Sequence, residues 1–183
     1  MLPIGMIAAL TVAMMDTCGL PPEQVSAPTE PVIVSTETVV APTEIKEGCV
    51  YTIHGMTPPA EWQRYLYSEL SVKGYEWYMP YAVCQIWQES CWNQYSTNGI
   101  DVGLTQQKAV YWQTRAAHWG VPGASIWDPY AQLHVFAGMM CQFLEQTGSV
   151  EWALSLYFWG NGDYAPKYIA DVMSHWGALE VVR

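Results

Sequence analysis

Beyond residue 56 the chain is a series of apolar runs with helical spacing, and each run stops at a glycine, a proline or a turn-forming cluster. The first run has apolar residues at positions i, i+3, i+4 and i+8, namely Trp62, Tyr65, Leu66 and Leu70, and it ends before Gly74. This spacing is typical of one face of an amphipathic helix. Similar runs follow over residues 80–89, 108–119, 129–146, 150–158 and 164–176. Strand-like alternation is almost absent, and no internal repeat indicates a solenoid. The folded part is therefore predicted to be mostly α.

The first 47 residues differ from the rest. Residues 1–15 are apolar and have no Lys or Arg before them; this is shorter than the roughly 20 residues of a membrane-spanning helix and is typical of a secretory signal. A Cys18-Gly19 step follows, which resembles a lipoprotein attachment point, so residues 1–18 are predicted to be a signal peptide or a membrane or lipid anchor. Residues 19–47 are rich in Pro, Thr, Val and Glu and are predicted to form a disordered linker.

The folded domain is expected to cover residues 48–183, on a protein that is exported. Either it is secreted or it is tethered to the outer face of the cytoplasmic membrane, and its contact with the membrane is then limited to the N-terminal leader. The chain has 7 Lys and Arg against 17 Asp and Glu, a net charge of −10. Nucleic-acid binding needs clustered basic residues, so no nucleic-acid partner is expected.

Aromatic residues suggest a different kind of ligand. Ten Trp and twelve Tyr stand in a chain of which only 13% is charged. Aromatic faces can stack on sugar rings, so this composition suits a groove for a neutral, hydroxyl-rich polymer, although Trp and Tyr also fill protein cores.

Cysteine spacing leaves the disulfide pairing open. Cys49, Cys84, Cys91 and Cys141 form an even set in an exported chain, which indicates disulfides. Cys84 and Cys91 lie seven residues apart, about 10 Å along a helix, and cannot bridge each other. Cys91 with Cys141, or Cys49 with either, remains open, and Cys84 is predicted to be a core residue.

Most motifs that carry chemistry are missing. The four His are scattered without zinc-site spacing, and neither a nucleophile elbow nor a phosphate-binding loop is present. No metal site and no cofactor are therefore predicted.

One carboxylate stands out because it follows an apolar helix. Glu89, the second residue of QESCWN, comes directly after the core-type run from Val83 to Trp87. Burial disfavours a charged carboxylate and raises its pKa, and a carboxyl group that stays protonated near neutral pH can act as a general acid. The alternative is a buried structural ion pair with Arg115 or Arg64.

Three motifs in chain order resemble those of lytic transglycosylases, the lysozyme-like enzymes that cleave peptidoglycan glycan strands. The sequence ESCWN at 89–93 is similar to the catalytic motif of the family, and DVGLTQ at 101–106 is similar to its Gly-Leu-Met-Gln motif. The third motif is matched by LSLYFWGNG at 154–162, and YIADV at 168–172 matches the helix that closes the domain. The resemblance covers roughly residues 60–176. It is closest to the small transglycosylases of secretion and conjugation machines, because they share the Asp before Gly-Leu.

The resemblance implies a lysozyme-like α-helical domain with a catalytic cleft that cleaves the MurNAc–GlcNAc β-1,4 bond. Glu89 would protonate the leaving oxygen and then accept the proton of the muramic C6 hydroxyl, which leaves 1,6-anhydro ends. By the same resemblance Tyr157 would orient the Glu89 carboxyl. Gln106 and Ser96 would hold N-acetyl or hydroxyl groups, and Tyr168 would also contribute to substrate binding.

Departures from the family pattern keep other functions open. Thr105 replaces the usual Met, Gln107 an apolar residue, Phe158 an Asn and Trp159 an Ala. Because that Asn helps to frame the cleft, a non-catalytic module that binds peptidoglycan is one alternative.

Asp101 supports another alternative. If it faces Glu89 across the cleft, it would be a second carboxylate and the chain would be a lysozyme-type muramidase. Otherwise it orders the loop through backbone N–H groups. A third expectation is a scaffold role in a secretion, conjugation or phage apparatus, with local wall cleavage.

Overall fold

The structure, a computed structural model, describes residues 49–182. The predicted leader (1–18) and linker (19–47) lie outside these residues. The helices are α1 Ala60–Val72, α2 Met79–Ser90, α3 Trp112–His118, α4 Pro129–Thr147, α5 Val150–Trp159 and α6 Pro166–Ser174. The strands are β1 Val50–Ile53, β2 Asp101–Val102, β3 Gln107–Lys108 and β4 Leu179–Val182. The predicted mostly α class is confirmed. Within the described range no helix has the length and apolar character to cross a membrane.

Five of the helices contribute to one core. Leu66 from α1, Ile86 from α2, Phe136 from α4, Leu154 from α5 and Val172 from α6 are all fully buried and belong to a single cluster. Each such side chain stabilises the fold by about 1.5–3 kcal/mol. Because the apolar face of every one of these helices is used in this way, the helical spacing of the sequence was sufficient to find them.

Helix α4 is the longest element and has strong signals at both ends. Asp128 caps its N-terminus, where the Asp128 Oδ1 accepts a hydrogen bond from the backbone N–H of Tyr130 at 2.9 Å. Pro129 occupies the first helical position, which suits its fixed φ. Gly148 ends the helix with φ +64°. Helix α4 packs against both α1 and α5, so it is the central helix of the domain.

Two strands were missed by the expectation of almost no β structure. β1 and β4 pair antiparallel, with Tyr51 opposite Val181 and Ile53 opposite Leu179. Each strand has four residues, and the partner lies at the other end of the folded region, so local spacing carried no signal. Gln63 satisfies the backbone of β1: its Oε1 accepts from the Tyr51 N–H at 2.8 Å, and its Nε2 donates to the Tyr51 carbonyl at 3.0 Å.

The segment between α2 and α3 folds into a small hairpin. Strands β2 and β3 pair antiparallel there, with Asp101 opposite Lys108. Gly103 lies at its tip with φ +82°, and a Cβ at this position would lie 1.7 Å from the Gln132 Nε2. Gln132 of α4 holds the tip, because its Oε1 accepts from the Thr105 N–H at 2.7 Å and its Nε2 donates to the Val102 carbonyl at 3.2 Å.

The disulfide pairings left open by the sequence do not form. Cys49, Cys84 and Cys141 all carry free thiols, which excludes a Cys91–Cys141 bridge and any bridge that involves Cys49. Cys141 belongs to α4 and is packed in the core, where burial raises the pKa of its thiol to about 11. The prediction of Cys84 as a core residue is confirmed, since it is 1% exposed and burial raises its pKa to about 12.

Candidate active site

Glu89 lies at the end of α2, where the helix meets the hairpin. Helix α2 stops at Ser90 because Cys91 takes a left-handed conformation with φ +52°. The Ser90 hydroxyl donates to the Leu104 carbonyl at 2.6 Å, which fixes the hairpin against the helix end. The carboxyl group is thus held between a rigid helix and a rigid turn.

Burial dominates the electrostatics of Glu89. It raises the pKa of the carboxyl group from 4.5 to about 8; a hydrogen bond from Tyr168 opposes this rise, nearby Asp101 adds to it, and Lys108 opposes it weakly. The residue as a whole keeps some exposed surface, whereas its carboxyl group is enclosed by protein atoms, and the pKa follows the carboxyl group. Burial therefore favours the neutral form of the Glu89 carboxyl at pH 7, while the rest of the residue keeps some solvent-exposed surface.

No cation neutralises Glu89 directly. Within residues 49–182 no Lys or Arg lies at ion-pair distance from its carboxylate. Arg115 instead donates to the Gln107 Oε1 at 2.8 Å. The alternative of a buried ion pair with Arg115 or Arg64 is therefore wrong, and burial without a counter-charge explains the raised pKa.

A chain of hydrogen bonds orients the carboxyl group. The Tyr78 hydroxyl donates to the Gln85 Oε1 at 2.8 Å, and the Gln85 Nε2 donates to the Tyr168 hydroxyl oxygen at 3.2 Å. The Tyr168 hydroxyl in turn donates to the Glu89 Oε1. Because Oε1 is the acceptor, the proton of the neutral acid belongs on Oε2. Tyr168, predicted to bind substrate, thus contacts the candidate acid itself.

Tyr157 does not orient Glu89, in contrast to the expectation from the family motif. Its hydroxyl donates to the Thr105 carbonyl at 2.5 Å and accepts from the Gln107 Nε2 at 2.8 Å. The physical reason is that α5 directs Tyr157 to the hairpin, whereas α6 directs Tyr168 to the end of α2. Burial is the main cause of the raised pKa of Tyr157, and the negative charge of Glu89 is the second cause. Tyr157 therefore still lies close to Glu89.

Asp101 is engaged within the hairpin. One oxygen of its carboxylate pairs with the Lys108 Nζ at 3.2 Å, and the other accepts from the Asn98 Nδ2 at 3.2 Å. The Asp101 N–H donates back to the Asn98 Oδ1 at 2.7 Å. These contacts match the interpretation that Asp101 orders the loop, while its charge lies near enough to raise the pKa of Glu89.

Ser96 and Gln106 lie together in the same loop. The Ser96 carbonyl accepts from the Gly103 N–H at 2.7 Å and from the Gln106 Nε2 at 3.2 Å. The Gln106 Nε2 also donates to the Gly103 carbonyl at 2.8 Å. The amide nitrogen of Gln106 is thus used to close the loop, and its Oε1, which has no hydrogen-bond donor within residues 49–182, is available to a ligand.

Sequence reasoning missed Gln107 as a site residue. It is 1% exposed, and its Nε2 donates to the hydroxyls of both Tyr157 and Thr105, the latter at 3.2 Å. Its Oε1 accepts from Arg115. The two departures from the motif, Thr105 and Gln107, thus form one buried polar network. The sequence did contain a signal for this network: Thr105 and Gln107 are two polar residues, two positions apart, where the family motif has apolar residues.

Two aromatic rings of α5 lie beside Tyr168, the residue that contacts Glu89. The Phe158 ring stacks on the Tyr168 ring, with centroids 4.7 Å apart and planes 23° from parallel. The Trp159 ring contacts Phe158 edge to face, also at 4.7 Å. Phe158 is 36% exposed and Trp159 is 48% exposed. We call these two side chains the aromatic shelf.

A surface depression of about 470 Å³ lies elsewhere. Lys73, Trp119 and Cys141 are among the residues that line it, and none of its lining residues contacts Glu89. Across residues 49–182 no group of three or more His, Cys, Asp and Glu could hold a metal ion. The chemistry of the site therefore has to be derived from Glu89 and its neighbours.

Comparison with protein-family models, with curated proteins and with solved structures finds no match to this chain.

Proposed function

We propose that this chain is a peptidoglycan lytic transglycosylase with a lysozyme-like catalytic domain, in which Glu89 is the only catalytic carboxyl group. The observation that carries the proposal is a buried carboxyl group that is oriented by Tyr168 and has a pKa of about 8. A general acid is most effective when its pKa lies near the working pH. Glu89 meets this requirement without a metal or a second acid.

The proposed reaction uses the Glu89 carboxyl group in the orientation that Tyr168 gives it. The proton on the Glu89 Oε2 passes to the glycosidic oxygen as the bond between that oxygen and the muramic C1 breaks. The Glu89 carboxylate then takes the proton of the muramic C6 hydroxyl, and O6 forms the new bond to C1. No water is consumed, and the product is a 1,6-anhydro-muramic end.

Tyr168 has a role in each half of this cycle. Its hydrogen bond favours the ionised form of Glu89, so it stabilises the carboxylate that exists between the two proton transfers. It also keeps Oε1 occupied, which leaves Oε2 as the atom that exchanges the proton. Gln106 would accept a hydrogen bond from an N-acetyl N–H through its Oε1, with Ser96 beside it.

A lysozyme-type muramidase is the second candidate, because the Asp101 charge acts on Glu89. In that reaction Asp101 would support the attack of water, and the product would carry a reducing end. The contacts of Asp101 with Lys108 and Asn98 favour the transglycosylase, since they already use both carboxylate oxygens.

The proposal extends to the setting of the enzyme. The substrate is the glycan strand of peptidoglycan, and the protein is exported and associated with the cell wall through its leader and linker. Cleavage would then clear the wall locally for a secretion, conjugation or phage apparatus.

The test is mass spectrometry of the muropeptides released from peptidoglycan by the full-length chain and by its Glu89→Gln variant. Anhydro-muramic ends that vanish in Glu89→Gln are the expected result. Glu61→Gln is the matched control, because Glu61 lies in the first turn of α1 and is exposed. Reducing ends that vanish in Asp101→Asn would assign the muramidase, and an inactive wild type would contradict both enzymes.

A further inference from the structure

The aromatic shelf occupies a position where the family motif has small or polar side chains. Phe158 replaces Asn and Trp159 replaces Ala, so two hydrogen-bonding or small groups give way to two large rings. Large exposed apolar side chains cost hydration free energy and commonly mark a binding surface when they cluster. The shelf is such a cluster, and its Phe158 ring stacks directly on Tyr168, the residue that contacts Glu89.

The geometry ties the shelf to the acid. Phe158 stacks on Tyr168 at 4.7 Å, and the Tyr168 hydroxyl donates to the Glu89 carboxyl. Because Tyr168 covers one face of the Phe158 ring, a ligand ring would rest on the exposed side of the shelf, in the neighbourhood of Glu89 and not in contact with it. The shelf carries no charge, so it suits the apolar C–H face of a neutral sugar ring.

We propose that the aromatic shelf is a sugar-binding subsite, in which Phe158 stacks on the C–H face of a pyranose ring that neighbours the bond cleaved at Glu89. This inference rests on the proposed function and adds the mode of substrate recognition. The subsite would recognise the sugar ring by stacking on its apolar face, whereas an Asn at this position would recognise it by hydrogen bonds.

The same helix supplies a matched control. Trp152 is 44% exposed and packs on Tyr164 at 4.9 Å. It is an exposed aromatic residue of α5, seven positions before Trp159, and its ring partner is not Tyr168. If exposed aromatic residues in general support binding, Trp152→Ala should weaken sugar binding too. If binding depends on a subsite beside Glu89, Trp152→Ala should leave it unchanged.

The experiment is isothermal titration calorimetry of chitohexaose into the full-length Glu89→Gln protein, which binds without turnover. Adding Phe158→Asn should raise the Kd about tenfold, the effect of losing roughly 50 Å² of apolar contact. Adding Phe158→Tyr should keep the Kd within about threefold, because the ring face is retained. Adding Trp152→Ala should leave the Kd unchanged.

A second readout separates a subsite from a structural role. In the otherwise wild-type chain, Phe158→Asn should raise KM on peptidoglycan and leave the basic limb of the pH profile near 8. A shift of that limb would mean that Phe158 acts only by positioning Tyr168, and it would overturn the subsite. If Phe158→Asn fails to fold, the Kd of Trp159→Ala decides instead, with a weakening expected.

The remaining outcomes distinguish this inference from the function on which it rests. A wild type that releases anhydro ends, together with a Phe158→Asn protein that binds chitohexaose like its parent, overturns the subsite alone. A wild type that cleaves peptidoglycan while its Glu89→Gln form binds no chitohexaose also overturns it, because the shelf is proposed to recognise the sugar ring itself. An inactive wild type whose Glu89→Gln form does not bind overturns both.

Discussion

Two carboxyl groups, those of Glu89 and Asp101, lie near enough for the charge of one to act on the other, and their surroundings differ. Glu89, at the end of α2, has a buried carboxyl group that accepts a hydrogen bond from Tyr168, and no Lys or Arg among residues 49–182 lies at ion-pair distance from it. Asp101, on the hairpin, forms an ion pair with Lys108 and accepts a hydrogen bond from the Asn98 side chain. Its backbone N–H donates to the Asn98 Oδ1. The helical side has a carboxyl group with a raised pKa, and the hairpin side has one that is held in an ion pair.

The difference shows that residue type does not decide catalytic role. A carboxyl group becomes a general acid when burial exceeds the charge stabilisation that surrounds it. Glu89 satisfies that condition, whereas the Asp101 carboxylate is engaged by Lys108, whose Nζ lies 3.2 Å from the Asp101 Oδ1. The comparison therefore predicts that substitutions on the two sides will have effects of different size and kind.

The largest effect is expected for Glu89→Gln on turnover. Removing the exchangeable proton while keeping the shape should lower kcat about 10³-fold, the usual contribution of a general acid or base. The rate of release of soluble muropeptides measures this. A loss smaller than about tenfold would show that another group supplies the proton.

Tyr168→Phe should lower kcat about 10–100-fold, because the carboxyl group loses its orientation. The Tyr168 hydrogen bond lowers the pKa of Glu89, so its removal should move the basic limb of the pH profile above 8. Tyr157→Phe is the control: its hydroxyl donates to Thr105, and the limb should stay in place. If both variants shift the limb alike, Tyr157 also orients Glu89.

The free energy of unfolding should vary with pH because Glu89 titrates differently in the folded and unfolded states. The folded pKa of about 8 lies above 4.5, so the folded state holds a proton that the unfolded state releases, and stability falls as pH rises from about 4.5 to 8. Glu89→Gln removes this dependence. It should be about 1–3 kcal/mol more stable than the wild type at pH 7, allowing for partial exposure, and equally stable near pH 4. Denaturant unfolding at the two pH values measures the difference, and a variant less stable at pH 7 would contradict it.

The smallest effect is expected for Asp101→Asn. The hairpin should lose up to about 1 kcal/mol, because Lys108 is half exposed and such ion pairs are weak. Activity should stay within about tenfold of the wild type, and the products should still carry anhydro ends. Lys108→Met is a comparison variant, because it removes the other partner of the Asp101–Lys108 ion pair. A loss of activity as large as that of Glu89→Gln would make Asp101 catalytic.

Much of the fold could be predicted because it depends on local spacing. Helix α5 was expected at 150–158 and forms over Val150–Trp159, since its boundaries are set by a Ser cap and a Gly stop. The strand pair β1–β4 could not be predicted, because each strand is short and the pairing joins the two ends of the domain. Its stabilising partner, Gln63, lies on a helix and gives no sign of this role in the sequence.

The contacts of the candidate site could not be predicted from the sequence. The motif placed Glu89, Tyr157 and Tyr168 near each other, and it assigned the orienting hydroxyl to Tyr157. The rotation of α5 and α6 about their axes decides which tyrosine reaches Glu89, and that rotation is fixed by core packing. The Gln107 network was missed for the same reason, since its partners Thr105 and Arg115 meet only in the folded chain.

The measurement that tests the central claim most directly is a ¹³C NMR titration of the Glu89 side-chain carboxyl in the full-length chain, assigned by comparison with Glu89→Gln. A midpoint near 8 is the result expected from burial without a cation. A midpoint near 4.5 would mean that Glu89 is ionised at neutral pH, and it would contradict the role of Glu89 as the acid.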